Sequence, residues 1–282
     1  MSAITWVFVV AGGASLLAWI ASLLTHDTSW VDRMWSILPE TYVWIFALHA
    51  DASNARSLTL AVLTTLWGAR LTFNFARKGG YSGVEDYRWA VLRDAMSPGQ
   101  FQLFNLAFIV VYQNALLVLI ALPAWNVAQH GGGLSGTDVV LSVVFLALLT
   151  GETVADQQQW RFHLEKRRRT TTRDDSSPGF LREGLFRYSR HPNYFFEIAQ
   201  WWVVYLFAVS AARTWRLWTV SGAVLLTLLF VGSTRFTERI SASKYPTYHD
   251  YQREVSAIIP WWPRRFSRER ADADTEPLTD PR

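Results

Sequence analysis

"FRYSRHPNYFFE", residues 186–197, leads directly into "IAQWWVVYLFAV", residues 198–209. The second segment is apolar and aromatic, as a membrane-spanning helix is, whereas the first carries Arg187, Arg190 and His191. Charged groups at the entrance to a hydrocarbon layer are costly, so their presence indicates a function at this point of the chain.

Apolar residues come in long blocks that are separated by short charged loops. The chain has 282 residues, 50% of them hydrophobic, and 15 tryptophans, a residue that gathers at membrane interfaces. Crossing about 30 Å of hydrocarbon takes roughly 20 apolar residues. Seven blocks approach this length: 4–24, 34–50, 57–75, 103–124, 137–160, 194–212 and 216–233. We therefore predict an all-α fold, a polytopic membrane bundle of about seven transmembrane helices.

The bundle is predicted to be one domain, 1–262, with its cofactor-binding half at about 137–262. The remaining stretch, 263–282, is highly charged and typical of a disordered cytosolic tail.

Lysine and arginine positions predict the orientation of the bundle. With the N-terminus outside, 23 of the 27 basic residues fall on the inner side, against Arg56, Arg213 and Arg216 outside, with Arg70 inside a span. Cytoplasmic loops carry such an excess of positive charge. We expect an integral, multi-pass protein of a bacterial inner membrane, with a cytosolic C-terminus and a binding site on the cytosolic side.

Composition excludes several classes of site. The chain has no cysteine, which removes disulfides, thiolate metal sites and a cysteine nucleophile. Its six histidines are scattered, unlike the clustered ligands of a membrane di-iron enzyme, so no metal is expected. No GxGxxG motif follows a strand, so any nucleotide must be held by helices. We predict contacts with membrane lipids, but neither a nucleic-acid partner nor an obligate protein partner.

The fifth span carries a polar face. Glu152, Asp156, Gln159 and His163 follow one another at spacings of four, three and four residues, so they share one side of a helix. Such a face is expected to turn towards the bundle interior or a water-filled cavity. The alternative is that the stripe merely reaches the membrane interface.

The sixth span has a matching face. Pro192 suits the first position of a helix, and Asn193, Glu197 and Trp201 then follow at intervals of four. Free N–H groups at such a helix start, next to Arg190, would favour a phosphate. A pyrophosphate dinucleotide, with its heterocycle deep in the bundle and its phosphates at the charged mouth, fits both spans.

Several motifs, taken in order, carry a family resemblance. They are "VDRMW" (31–35), "EDYRW" (85–89), "ADQQQWRF" (155–162), "GLFRYSRHPNYFFE" (184–197) and "YQREVSAIIPWW" (251–262). Together they resemble the steroid 5-alpha-reductase family, in particular a bacterial branch catalogued as a domain of unknown function. The resemblance implies a seven-helix membrane enzyme that uses NADPH to reduce a carbon–carbon double bond conjugated to a carbonyl. Its substrate would be a small hydrophobic enone that enters from the bilayer.

The resemblance also implies roles for individual residues. The cofactor-binding set is Arg88, Asp156, Arg161, Tyr188, Arg190, His191, Asn193, Tyr194, Glu197 and Arg253. The catalytic set is Glu197 with two candidate donors to the substrate carbonyl, Asp32 and Tyr112; Tyr87 is a third candidate donor. A helix cap, an interfacial anchor or simple packing would equally account for the three donors.

Two positions depart from the family pattern. Trp67 stands near the tyrosine that binds the substrate ketone in steroid-reducing members, with Arg70 matching the arginine that follows it. The second span has no glutamate ahead of Leu38; Asp32 and Glu40 are the nearest carboxylates. The ketone-binding pair of the family therefore does not carry over to this chain.

Two other readings stay open. Membrane S-adenosylmethionine methyltransferases of the isoprenylcysteine carboxyl or phospholipid type also show an Arg-His-Pro-x-Tyr stretch, here 190–194. A transporter would place charged residues along a continuous path across the membrane. The basic run 165–173, "EKRRRTTTR", has two interpretations. In a reductase it would bind the third phosphate of NADPH; in the alternative it would only hold the topology and contact anionic lipid.

Overall fold

The computed structural model of the protein describes residues 1–83, 85–172 and 179–264. Within these ranges the chain is helical and has no strand, which confirms the all-α prediction. The predicted tail, 263–282, lies outside the described residues from 265 onward.

Eleven α-helices follow one another along the described chain. They are α1 (Ala3–Thr25), α2 (Trp30–Met34), α3 (Leu38–Leu48), α4 (Ala55–Arg77), α5 (Tyr87–Asp94), α6 (Pro98–Phe104), α7 (Gln113–His130), α8 (Gly136–Thr172), α9 (Pro192–Ala212), α10 (Val220–Lys244) and α11 (Tyr248–Glu254). A π-helical segment, Asn105–Tyr112, joins α6 to α7, and a short 3-10 turn, Gly184–Arg187, precedes α9.

Side chains at the helix starts explain several of these boundaries. Ser2 and Asn54 accept the backbone N–H groups of Thr5 and Ser57, which begins α1 and α4. Ser97 closes a capping box at the start of α6. α9 begins at Pro192, as the sequence predicted.

Five helical stretches are long and apolar enough to cross a membrane. They are Ala3–Thr25, Pro98–His130, Gly136–Arg169, Pro192–Ala212 and Val220–Lys244. This matches five of the seven predicted spans and is the pattern of a multi-pass membrane protein. The other two predicted spans, 34–50 and 57–75, correspond to α3 and α4. With 11 residues, α3 is about 16 Å long, and α4 is long enough but carries Arg56, Arg70 and Arg77.

α7 lies at the centre of the bundle, packed against α1, α3, α4, α9 and α10, while α8 makes its most extensive contact with α9. The core is filled by large apolar side chains that are almost fully buried: Tyr42, Phe46, Leu60, Trp67, Leu117, Ile120, Phe207 and Leu226. α10 crosses α7 closely at Gly222, where an added Cβ would lie 2.2 Å from the carbonyl oxygen of Leu119.

The bundle has two ends, each with its own set of polar contacts. We call the end that holds the start of α8 and the end of α9 the far end. At the far end of the bundle, the guanidinium of Arg56 pairs with the buried carboxylate of Asp138 at 2.8 Å, and Ser210 donates to the same carboxylate at 2.8 Å. The opposite end, which we call the site end, holds the last turns of α1, α4, α8 and α10 and the first turn of α9. At the site end, Arg77 donates to Gln157 at 2.7 Å and Lys78 donates to Gln159 at 3.1 Å.

α8 is much longer than its neighbour α9. The hydrogen bond from Ser210 to Asp138 aligns the two helices at the far end. At 1.5 Å per residue, the 37 residues of α8 measure roughly 55 Å and the 21 residues of α9 roughly 31 Å. The last turns of α8 therefore extend beyond the start of α9 at the site end.

Candidate functional site

Arg70 of α4 lies among three carboxylates near the site end. Its guanidinium is 2.9 Å from Glu152, 2.6 Å from Asp156 and 3.2 Å from Glu197. α8 supplies the first two acids and α9 the third, so three helices meet at one guanidinium. The two acids that the sequence placed in one site, Asp156 and Glu197, share this partner. We call these four residues the Arg70 cluster.

A second layer of side chains holds the Arg70 cluster in place. The indole N–H of Trp67 donates to Glu197 at 3.1 Å, and the amide of Gln200 donates to Glu152 at 2.6 Å. The ring of Trp67 meets the ring of Trp201 edge to face, with centroids 4.8 Å apart. The acids are therefore fixed in position by hydrogen bonds from α4 and α9.

The Arg70 cluster carries excess negative charge in a buried place. Its three carboxylates are only 3–4% exposed and share one guanidinium. Buried like charges repel, so hydrogen bonds from a bound group would stabilise a cluster of this composition.

Some polar atoms beside the cluster are buried and make no hydrogen bond within the described part of the chain. On α9 these are Glu197 Oε1, Gln200 Oε1 and Trp201 Nε1. Glu197 and Trp201 are one helical turn apart, so an acceptor and a donor lie next to each other on one face. This pairing suits a group that both donates and accepts hydrogen bonds, such as a carboxamide.

The charged entrance in front of α9 is itself tied down. Arg190 pairs with both oxygens of Glu238 of α10, at 2.6 and 2.9 Å, and its Nη1 donates to the carbonyls of Gln252 and Val255. His191 Nε2 lies 3.1 Å from Glu238 as well. Arg190 and His191, predicted to bind the cofactor, thus link the start of α9 to α10 and to the C-terminal segment.

The neighbouring predicted residues lie around the same entrance. The ring of Tyr194 stacks on His191 with centroids 5.0 Å apart. Asn193 is half-buried one turn before Glu197, on the same side of α9. Tyr188 is half-buried and meets the ring of Trp262 edge to face.

Comparisons with known proteins match most of the chain. The family model described as "Protein of unknown function (DUF1295)" matches residues 18–255. The chain belongs to the DUF1295 family. That family lies within the steroid 5-alpha-reductase-like superfamily, so the domain-of-unknown-function part of the predicted resemblance is confirmed, and the reductase assignment stays a prediction.

A relative of this DUF1295 protein occurs in fission yeast. The chain is 36% identical over 259 residues to the uncharacterized protein C594.04c of Schizosaccharomyces pombe, a match that covers 86% of the chain and 75% of the relative. No solved structure matches the chain.

Three predicted arginines of the DUF1295 protein lie away from the Arg70 cluster. Arg88 forks onto the carboxylate of Asp86 and donates to Ser233 of α10 at 2.8 Å. Arg161 is exposed on α8, and Arg253 is exposed on α11. All three belong to the site end, where Arg161 and Arg253 face solvent and Arg88 is bonded to α10.

Asp32 and Tyr112, two of the three predicted carbonyl donors, are not part of the Arg70 cluster. Asp32 accepts a hydrogen bond from the indole of Trp89 at 2.9 Å, and burial together with the charge of Asp86 raises its pKa. Tyr112, at the end of the π-helical segment, is stacked on Phe108 at 5.2 Å. Within the described residues, neither is hydrogen-bonded to Arg70 or to its carboxylates.

The central residue, Arg70, was absent from the predicted site. A signal existed, because an arginine inside an apolar span needs a carboxylate partner. Sequence spacing placed Glu152 and Asp156 on one face of α8. It could not show that α4 is the helix that supplies their basic partner.

Proposed function

We propose that this DUF1295 protein is an integral membrane oxidoreductase that uses NADPH to reduce a double bond conjugated to a carbonyl in a hydrophobic substrate. The observation that carries the proposal is the convergence of Asp156 and Glu197 on Arg70, directly inside a basic entrance. A dinucleotide needs both features, a polar pocket for its heterocycle and positive charge for its phosphates.

The residues present fit the cofactor. The free acceptor of Glu197 and the free donor of Trp201 match the amide and carbonyl of a nicotinamide carboxamide. Asp156, Tyr188, Asn193 and Tyr194 would surround the nucleotide, with Arg88, Arg161 and Arg253 available to the phosphates. When bound, NADPH supplies the hydride.

The protein's own part is to stabilise charge and to exclude water. Negative charge that forms on the carbonyl oxygen needs a hydrogen-bond donor aimed at it, and the α-carbon must receive a proton. Asp32, whose raised pKa favours the protonated form, and Tyr112 remain the proposed donors.

The proposal includes the orientation of the bundle. The proposal counts seven crossings: the five long helices, α4, and the stretch from α2 to the end of α3 (30–48), with the N-terminus outside and the site end in the cytosol. The excess of basic residues at the site end supports this orientation. At the far end Arg56 lies in a buried ion pair with Asp138, so Arg213 and Arg216 are the exposed arginines of that side.

The test is direct identification of the bound nucleotide. We expect mass spectrometry of the detergent-purified protein to detect NADP(H), and titration of NADPH to quench tryptophan emission with saturation. Glu254, an acid on α11 at the site end, provides a control variant, Glu254→Gln, with unchanged titration. Co-purification of an S-adenosyl compound, together with no response to NADPH, would replace the proposal with the methyltransferase.

A further inference from the structure

The segment that follows α11 exposes large apolar side chains. Ile259 and Trp261 are each 68% exposed and Trp262 is 73% exposed. None of them lies in a membrane-spanning helix, and the segment belongs to the site end. We call residues 255–262 the C-terminal strap.

The strap is firmly held on its inner side. The backbone N–H groups of Arg190 and His191 donate to the carbonyls of Ser256 and Ala257 at 2.9 and 3.0 Å. In the reverse direction, the backbone N–H of Trp261 donates to the carbonyl of Tyr188 at 2.8 Å. The exposed side chains are therefore displayed by a fixed backbone that is bonded to the start of α9.

The position of α9 sets the level of the strap. Its 21 residues measure roughly 31 Å, close to the thickness of a hydrocarbon layer, so Pro192 lies at the edge of that layer. Ala257 and Trp261 are hydrogen-bonded to residues 188–191, immediately before Pro192. The strap thus lies at the height of the lipid headgroups.

Its chemistry suits this level. Tryptophan prefers the boundary between headgroups and acyl chains, because its ring is apolar and its N–H is polar. Two exposed arginines, Arg187 and Arg264, flank the strap and complement anionic headgroups.

We propose that the C-terminal strap is an interfacial anchor that inserts Ile259, Trp261 and Trp262 into the anionic leaflet at the site end. Through the hydrogen bonds to residues 188–191, lipid contact fixes the loop from which α9 and the predicted cofactor-binding residues start. The anchor does not depend on the proposed function and would serve either candidate enzyme.

The absence of cysteine from the chain allows a clean test. Single variants Trp262→Cys and Ile259→Cys are labelled with an environment-sensitive fluorophore and reconstituted into nanodiscs. The discs contain phosphatidylcholine alone or phosphatidylcholine with phosphatidylglycerol. Asp250→Cys, exposed on α11, is the matched control. Quenching by doxyl-labelled lipid and by aqueous iodide is then measured at each position.

The anchor predicts that doxyl lipid quenches both strap labels several-fold more than the control, with little quenching by iodide and a stronger effect with phosphatidylglycerol. Strong iodide quenching without lipid quenching would overturn the proposal. Protection from both quenchers would also overturn it, since another part of the chain or a second copy would then cover the strap. NADPH titration of the same variants is a separate measurement, so loss of the proposed function is distinguishable from loss of the anchor.

Discussion

Arg70 and Asp156 lie 86 residues apart in the sequence and 2.6 Å apart in the fold, as an ion pair between α4 and α8. The pair is buried, and the same guanidinium reaches Glu152 and Glu197. The helices α4, α8 and α9 are thus locked at one depth and one rotation. The residues that hold these helices together are also the candidate binding site. Only variants that keep the Arg70 cluster paired can therefore separate an effect on ligand binding from an effect on stability.

Arg70→Met is expected to destabilise the bundle strongly. It leaves three buried carboxylates without their cation, a change that costs about 3–5 kcal/mol. Thermal unfolding in detergent, followed by size-exclusion chromatography with fluorescence detection, measures the loss. Adding Asp156→Asn and Glu152→Gln to Arg70→Met removes two of the unpaired charges and should recover part of it. Equal stability of Arg70→Met and the wild type would contradict the role of the Arg70 cluster.

Asp156→Ala and Glu197→Gln are expected to weaken NADPH binding without unfolding the protein. Each variant leaves Arg70 with two acidic partners, so no buried cation is orphaned. Loss of one charge-assisted hydrogen bond to the ligand, about 1.5–3 kcal/mol, corresponds to roughly a tenfold or greater rise in Kd. Fluorescence titration measures it, and wild-type-like affinity in both variants would count against the site.

Gly222→Ala is expected to separate α10 from α7. Its new methyl group would meet the backbone carbonyl of Leu119 at 2.2 Å, which a side-chain rotation cannot relieve. Overpacking of this kind costs about 1–3 kcal/mol. Gly232→Ala is the matched control on the same helix, because nothing lies within 4 Å of its added Cβ. A melting temperature that falls only for the first variant supports the close crossing; equal shifts for both contradict it.

Arg190→Ala is expected to release the C-terminal segment from the bundle. It removes the pairing with Glu238 and the donors to the carbonyls of Gln252 and Val255, for a local loss of roughly 2–3 kcal/mol. Hydrogen exchange should rise between 248 and 262 while the centre of α7 stays protected. Unchanged exchange in that segment, with weakened NADPH binding, would instead make Arg190 a phosphate ligand.

Glu85 should add stability that disappears in acid. Burial alone would raise the pKa of Glu85, but hydrogen bonds from Arg93 and Thr28 outweigh it and lower that pKa below its ordinary value of 4.5. A lowered pKa in the fold means that the contribution, about 1 kcal/mol, is present above pH 4.5 and is lost as the pH falls below it.

The comparison that isolates this effect uses Glu85→Gln. Its melting temperature should lie below that of the wild type near neutral pH, and the two should converge in acid. Glu183→Gln, at an exposed acid of the site end, should follow the wild type throughout. A constant difference across the pH range would assign the effect to packing rather than to charge.

The hydrophobic blocks in the sequence predicted where the long helices lie, but they did not predict where each helix ends. The last predicted span stops at 233, where apolar residues become sparse, yet α10 continues to Lys244. The turns beyond 233 carry Glu238, which pairs with Arg190 of the segment before α9, a contact that a local sequence window cannot reveal. Helices as short as α5 and α11 hold too few residues for a periodic signal.

The site was predicted in part, for the same physical reason. The spacing within α8 and α9 predicted a polar face on each helix, since periodicity fixes which residues share a face, and Asp156 and Glu197 of these faces both contact Arg70. It could not supply Arg70, because the pairing of α4 with those faces is set by packing over the whole bundle. Roles in catalysis stay predictions for Asp32 and Tyr112.

Because α8 is longer than α9, part of α8 lies beside α9 at the level of the hydrocarbon layer and part extends into water. About 24 Å of α8 projects past the start of α9, beyond the reach of acyl chains. On the proposed function, a nucleotide bound beside these last turns of α8 would remain in water, whereas a hydrophobic substrate would reach the Arg70 cluster from the bilayer.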